Sequence, residues 1–431
     1  MINEKAYPYW VDGEVGRFEF TTHQVSEGDV LVYDTASEDF PPRGRWEWYQ
    51  TSGFKELAFL YGVTEDSYRH TSRRLNRLRH QSDRDGTPSR TLQAQAEREG
   101  TQLQYALDRK ATQILTAAQV SEQDGTLIVP SCSPVSQPLT MPQTRVNDAI
   151  ETCQESLKEA YELRNNPLPY EAPEVTVNIT VDDVGVKRQK AERRSSASEP
   201  SPSSPDQSTT TRKYAHTTVV HLEQGGRKYV LAGQGIAHVL RLVVAFLLSN
   251  DLKGFHLQCF TDGYGILHDA IRRSFAWCPN LVIVLDWYHL LKKCQMQLSL
   301  ACDGRDHRNA VLKELLPLLW HGQLDKAITY IQGLDTQHIK NAEALTKLVG
   351  YFERNRDHIP CYAVRKALGL RNSSQIGEKM NDLLVSDRQK HRGMSWSKSG
   401  SVSLAVLTAL KRNGEYAQWF DEGDIDFKLV A

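Results

Sequence analysis

The stretch VTVNITVDDVGVK, Val175 to Lys187, decides the fold. Val175, Val177, Ile179 and Val181 recur at every second position, the period of a strand that buries one face. Asp182 and Asp183 then interrupt the apolar series. Alternation sends Asp183 to the valine face and Asp182 to the opposite one. A carboxylate at the end of a half-buried strand is costly unless a partner or cation meets it, so this strand both starts a sheet and raises a chemical question.

Reading towards the C-terminus, the sheet grows. Lys187 to Lys213 is rich in Ser, Pro and Thr without apolar periodicity and predicts a flexible insertion. AHTTVVHLEQGGRKYVLAG predicts a hairpin turning at Gly225-Gly226. A helix (Ile236–Leu248), a strand (HLQCFTDG), a helix (Tyr264–Phe275) and the strand LVIVL (Leu281–Leu285) follow. The order β–β–β–α–β–α–β predicts an α/β fold, a mixed sheet covered by helices. Residues 287–370 carry helical patterns almost throughout. QIGEKMNDLLVSDRQKHRGMSW starts another helix, capped at Ser373 or Ser374, and SVSLAVLTALKRNGEYAQWF reads as amphipathic.

Reading towards the N-terminus, the character is different. YPYWVDG, FEFTTH and VLVYDT are strand-like pieces within residues 1–50, for which the sequence offers no function. FKELAFLYGVTEDSYRHTSRRLNRLRHQ then predicts a short helix, a break at Gly62 and a second helix capped by Thr64. Tyr68, Thr71, Leu75 and Leu78 form its apolar face, and Arg69, Arg73, Arg74 and Arg77 lie largely off it. Helix, tight turn and basic helix make the shape of a helix-turn-helix. TLQAQAERE and QLQYALDRKATQIL predict a second helix pair turned at Gly100. Residues 121–145 read as a loop and 146–165 as one more helix.

The bulk numbers set bounds. The 431 residues suffice for about three domains. The longest apolar run, Leu242–Leu248, is far too short to span a bilayer, and the N-terminus lacks the basic-then-apolar pattern of a secretion signal. The expectation is a soluble cytoplasmic protein without a membrane partner. Seven cysteines without a Cys-x-x-Cys pair argue against a disulfide framework or a thiolate zinc site. A net charge of −1 alone points away from nucleic acid, but Tyr68 to Arg79 holds five arginines and no acid, and the local pattern outweighs the sum.

Asp182 and Asp183, Asp262 and Asp286 each end a strand of the α/β part. Any one of them alone reads as a turn former or helix cap. Together at one sheet edge they repel one another unless a cation sits between them, and hard oxygen donors suit Mg²⁺ or Mn²⁺. Two such ions can clamp the attacking and leaving oxygens of a phosphodiester.

The ordered set VDDVGV (181–186), FTDGYGI (260–266), LDWYHL (285–290), IGEKMN (376–381) and DRQKHRGMSW (387–396) resembles the DDE transposases of bacterial insertion sequences, in the Mutator-like clan. The resemblance covers about residues 175–412. It implies an RNase H-like core with a helical insertion, and a metal-dependent transposase that cuts and joins DNA. The implied catalytic and metal-holding residues are Asp182, Asp262 and Glu378, with two Mg²⁺ or Mn²⁺ ions. The family often has Asp-Gly at the first position, and this chain has Asp-Asp. Asp182, which stands before the usual Gly, is chosen, with Asp183 as accessory. Asp286-Trp-Tyr-His289 matches the clan's Asp-x-x-His motif; at spacing three on a first helical turn, His289 is a candidate partner for Asp286.

The resemblance also implies phosphate neutralisation by Lys379, Arg388, Lys390 and Arg392 beside the site, and binding of element ends by the arginines of 69–77. Partners are then double-stranded DNA and a second copy of the chain, at the nucleoid. The implied organisation is an N-terminal segment (1–50), a helix-turn-helix region (51–170), the first part of the core (171–294), a helical insertion (295–370) and the C-terminal part of the core (371–431). The rivals are a nuclease or resolvase that cuts without joining, and a transposase-derived DNA-binding protein without catalysis.

Overall fold

The computed structural model describes residues 2–27, 30–34, 49–82, 84, 86–130, 140–155, 168–189, 214–373, 379–391 and 394–429. These form two compact units. One contains Met1–Ala106, Val186–Ala215 and Leu384–Asp426; the other contains Leu107–Gly185, His216–Leu383 and Phe427–Ala431.

The first unit opens with a sheet. Strands β1 (Ile2–Gly13) and β2 (Gly16–Glu27) pair antiparallel from Ile2↔Glu27 to Gly13↔Gly16, and β3 (Val30–Asp34) and β4 (Tyr49–Gln50) complete the order β3-β2-β1-β4. Helix α1 (Ser52–Thr64) starts where Thr51 Oγ1 accepts from Phe54 N at 3.1 Å. Helix α2 (Tyr68–Leu78) starts where Ser67 Oγ accepts from His70 N at 3.2 Å. The cap is therefore Ser67, not Thr64. Thr64 belongs to the end of α1, where its hydroxyl bonds back to the Leu60 carbonyl. Phe54, Ala58, Leu75 and Leu92 form the core beneath both helices. Helix α1 runs through Gly62, so the break expected there is not observed; the two helices are joined by the turn at 65–67.

Helix α3 (Ser89–Ala117) corrects the expected turn at Gly100, because it runs unbroken through that residue. A side chain there would place Cβ 2.4–2.7 Å from Ser403, so the glycine serves close packing, not a bend. Ser403 lies on α12 (Lys398–Asn413), whose residues from Gly400 through Leu410 are all buried. That helix is covered on every side and is not the amphipathic helix expected. Helix α13 (Tyr416–Glu422) follows after Gly414.

The second unit carries the α/β sheet. A hairpin, β5 (Ser121–Gln123) and β6 (Thr126–Ile128), occupies part of the expected loop, and α4 (Gln143–Glu155) covers part of the expected 146–165 helix. Then come β7 (Thr176–Lys187), β8 (Tyr214–Gln224), β9 (Arg227–Gly233), α5 (Ile236–Ser249), β10 (His256–Thr261), α6 (Gly265–Ser274) and β11 (Leu281–Leu285). The strand order is β11-β10-β7-β8-β9, with β7, β10 and β11 parallel and the β8–β9 hairpin antiparallel. The mixed sheet expected from the sequence is the one observed. Most of the expected insertion at 187–213 lies outside the described residues.

After β11 the chain is helical: α7 (Trp287–Ala301), α8 (Arg305–Trp320), α9 (Leu324–Gln332), α10 (Ala342–Arg354) and α11 (Tyr362–Ala367). Leu290, Leu298, Leu315, Leu319, Phe352 and Tyr362 share one core with Val284 and Leu285 of β11. The helices are thus anchored on the sheet edge. Under the sheet, Arg365 is wholly buried. Its guanidinium meets Glu171 at 3.3 Å and Gln258 Oε1, on β10, at 2.7 Å. Among the described residues, no helix is long and apolar enough to cross a membrane.

Candidate active site

Three acids lie on or just after the parallel strands. In the β7–β10 pair the last matched residues are Phe260 and Thr180, so Asp262 and Asp182 each lie two residues beyond the end of that pairing. In the β10–β11 pair Thr261 stands opposite Leu285, and the Asp286 N–H donates to the Thr261 carbonyl at 2.9 Å. Asp262 and Asp286 follow β10 and β11 directly, at strand ends where ligands bind in open α/β sheets, whereas Asp182 and Asp183 lie within β7, which runs on to Lys187; the expectation that these two end their strand is corrected.

The three are held differently. Asp286 is fully buried and satisfied. Its Oδ1 caps α7 by accepting from Tyr288 N at 2.8 Å, and its Oδ2 lies 2.9 Å from His289 Nδ1. The expected hydrogen bond between Asp286 and His289 is present. Asp262 is exposed. Its Oδ1 accepts from Tyr264 N at 2.9 Å, and its carbonyl accepts from the Tyr351 hydroxyl at 2.8 Å. Its Oδ2 carries no hydrogen bond among the described residues. Burial, and next the charge of Asp262, push the Tyr351 phenol up, so it stays a protonated donor. Gly263 has φ +84°, and a Cβ there would meet Asn355 at 2.8 Å; only glycine fits this turn.

Asp182 and Asp183 meet different partners, where the buried series of β7 passes from Val181 to Val184 and changes phase. Asp183 is exposed and engaged on β8. Its Oδ1 accepts from Thr218 Oγ1 at 3.0 Å, and its Oδ2 lies 3.1 Å from His216 Nδ1. Asp182 is half-buried; Oδ1 accepts from the Asp183 N–H at 2.8 Å and Oδ2 from Asn381 Nδ2 at 2.6 Å. Asn381 is buried, at the end of helical residues 379–381, and a π-helical turn at Asp382–Ser386 follows. Glu378 lies outside the described residues, three positions before Asn381 in the chain. Among the described residues no group of three His, Cys, Asp or Glu side chains is placed to hold a metal ion.

Behind Thr261, His268 Nε2 lies 2.6 Å from the Thr261 hydroxyl, and burial pushes its pKa down to about 4. The His268 ring meets His358 edge-on, and Arg272 donates to His358 Nε2 at 3.1 Å. Burial pushes up the thiols of Cys153, Cys259, Cys294, Cys302 and Cys361, which therefore supply no thiolate.

The basic residues divide as well. Arg69, Arg73, Arg74 and Arg77 are exposed on α2. Arg74 is already engaged: it pairs with Glu65 and lies 5.2 Å from the Tyr61 ring centroid. Lys379 and Lys390 are exposed, and Arg392 lies outside the described residues. Arg388 requires a correction. It is 6% exposed, with its guanidinium 5.2 Å from the Tyr68 ring and 5.4 Å from the Trp396 ring, so it packs between aromatics and is not presented to DNA phosphates.

Sequence reasoning did not single out Asn381 or Tyr351. Asn381 stands three positions after Glu378 in the same IGEKMN motif and could have been found there. Tyr351 carries no such signal, because it sits in the helices after β11 and reaches Asp262 only through the fold. No protein-family model matches the chain, and no curated protein sequence matches it.

Proposed function

We propose that the chain is a DDE-type DNA transposase with an RNase H-like core, which cuts DNA at element ends and joins them to a target. One observation carries the reading: Asn381, in the segment that carries Glu378, donates to Asp182, on the strand that pairs parallel with the one Asp262 follows. That contact brings the chain just after Glu378 to the first aspartate. The strand order β11-β10-β7-β8-β9 and the helices after β11 support an RNase H-like core with a helical insertion.

The donors suit the proposed ions. Asp182 and Asp262 offer hard carboxylate oxygens, Asp262 Oδ2 carries no hydrogen bond among the described residues, and Glu378 is the third donor of the proposal. Bound there, Mg²⁺ or Mn²⁺ would supply activation of the attacking oxygen and stabilisation of the leaving one. The chain's own groups do the positioning. Asn381 holds the Asp182 carboxylate, Tyr264 N and Tyr351 hold Asp262, and Asp286 with His289 fixes the start of α7 beside them. The exposed Arg69, Arg73 and Arg77 of α2 suit phosphate contacts to double-stranded DNA. Cutting two ends calls for at least two copies of the chain on DNA, in the cytoplasm at the nucleoid.

The test uses labelled DNA from the regions flanking the coding sequence, a target plasmid and Mg²⁺ or Mn²⁺. Joined products are expected. Cut ends without joining would replace the proposal with a nuclease or resolvase. Binding without cutting would leave a DNA-binding protein. Asp262→Ala is expected to bind the ends yet neither cut nor join them, and full activity of that variant would refute the site.

A further inference from the structure

We infer that the groove between α7 and α10 holds backbone phosphates of the DNA strand that runs to Asp262, on Lys293 and Arg354. The groove has a volume of about 520 Å³ and is lined by Lys293 and Gln297 of α7 and by Glu343, Lys347, Gly350 and Arg354 of α10. The inference rests on the catalytic proposal, which brings a DNA strand to Asp262, and adds a surface that carries that strand beyond the site.

Charge is the first argument. Lys347 Nζ lies 2.8 Å from Glu343 Oε1, so these two answer each other. Lys293 and Arg354 remain, and neither forms an ion pair among the described residues. Lys293 is half-buried, with Nζ 5.4 Å from the Tyr351 ring centroid, and that ring holds the ammonium in place. Arg354 is exposed. Two cations without an acid in one groove favour an anionic occupant.

Continuity with the candidate site is the second argument. The Tyr351 ring that meets Lys293 carries the hydroxyl that donates to the Asp262 carbonyl at 2.8 Å. Asn355, next to Arg354 in the chain, packs against Gly263, where a Cβ would meet it at 2.8 Å. Both cations therefore stand beside groups that touch the turn of Asp262 and Gly263. That placement suits a polymer with one phosphate at the site and others along the groove, more than it suits an isolated anion. The floor of the groove is the third argument. Gly350 lies inside α10, where glycine is an unfavourable helix residue. Packing does not demand it: among the described residues a Cβ there would meet only Arg354 Nη1, at 3.4 Å, an ordinary contact. A bare backbone at that point lets a ligand approach closely.

The experiment is fluorescence anisotropy of the full chain with a labelled duplex of ~20 base pairs, without divalent metal, over a salt series. Lys293→Gln with Arg354→Gln is expected to weaken binding roughly tenfold or more at about 0.1 M salt and to reduce the salt slope by about 0.9 per contact. Gly350→Gln, which fills the floor and keeps every charge, is expected to weaken binding and leave the slope unchanged. Lys313→Gln with Lys326→Gln, exposed on α8 and α9, is the control of equal charge and is expected to change neither. Labelled polyglutamate, the probe for an acidic protein partner, is expected not to bind. The inference is overturned if either groove variant binds DNA as the wild type does, or if the control pair loses as much. Polyglutamate binding that the groove pair loses would overturn DNA as the occupant. Absence of DNA binding by the wild-type chain would overturn this inference and the transposase reading together. Unaltered groove variants beside loss of cutting in Asp262→Ala would overturn the groove alone.

Discussion

Asp286 and Asp262 end neighbouring strands, yet their surroundings assign them opposite work. Asp286 spends both oxygens inside the protein, on the Tyr288 N–H and on His289. Asp262 keeps an oxygen without a hydrogen bond among the described residues and is exposed. Asp286→Ala is therefore expected to act on stability, removing a helix cap and a buried acceptor for a loss of about 2 kcal/mol in urea unfolding. Asn381→Ala is expected to act on chemistry. Groups that orient metal ligands typically change affinity or activity about 10–100-fold, so the Mg²⁺ concentration for half-maximal DNA cutting should rise in that range with the urea midpoint little changed. An unaltered Mg²⁺ dependence would make Asn381 a packing residue only. The Asp286–His289 pair was legible in the sequence because its members sit three apart on one helix. The Asp182–Asn381 contact was not, because its members stand 199 positions apart.

Elements were legible where the periodicity is long and illegible where a single residue was asked to decide. The alternation of β7 and the apolar run of β11 gave strands at the expected places. Gly100 was read as a turn because glycine most often serves one, but here it admits Ser403 of α12. The two roles separate on substitution. Gly100→Ala adds a methyl group 2.4 Å from that neighbour, so overpacking of about 1–3 kcal/mol should outweigh the ~1 kcal/mol gained in helix propensity, and Tm should fall. A rise in Tm would mean that α12 yields to the methyl group. The β5–β6 hairpin escaped because its strands have only three residues each, too few for a period. Asp124-Gly125 between them is the informative pair: both residues take positive φ, the signature of a tight hairpin turn.

At the scale of the whole molecule, the order of strands and helices was written in the sequence, and the buried polar pairs that join distant segments were not. Arg365 with Glu171 is one such pair, and removing one partner leaves an uncompensated buried charge. Arg365→Met is expected to cost roughly 3–5 kcal/mol, read as a shifted urea midpoint, and a loss below about 1 kcal/mol would show that the pair is dispensable. Stability should also depend on pH. Burial holds His221 and His268 neutral, with pKa values lowered to about 4 from an ordinary 6.5. The unfolded chain takes up those protons near pH 6.5 and the folded chain only near pH 4. Their contribution is therefore complete above about pH 6.5 and is lost as pH falls towards 4. Urea unfolding at about pH 5 should show a loss on the order of 1–2 kcal/mol per histidine relative to pH 7, and His268→Gln should flatten that dependence.

The central claim is the proposal that Asp182 on β7 and Asp262 just after β10 hold the metal for DNA cutting. Mn²⁺ titration followed by electron paramagnetic resonance tests it without any DNA. The wild-type chain is expected to take up Mn²⁺, as is Asp183→Asn, whereas Asp182→Asn and Asp262→Asn should each weaken uptake at least about tenfold. Equal uptake by the wild type and both of those variants, or loss of uptake in Asp183→Asn alone, would contradict it.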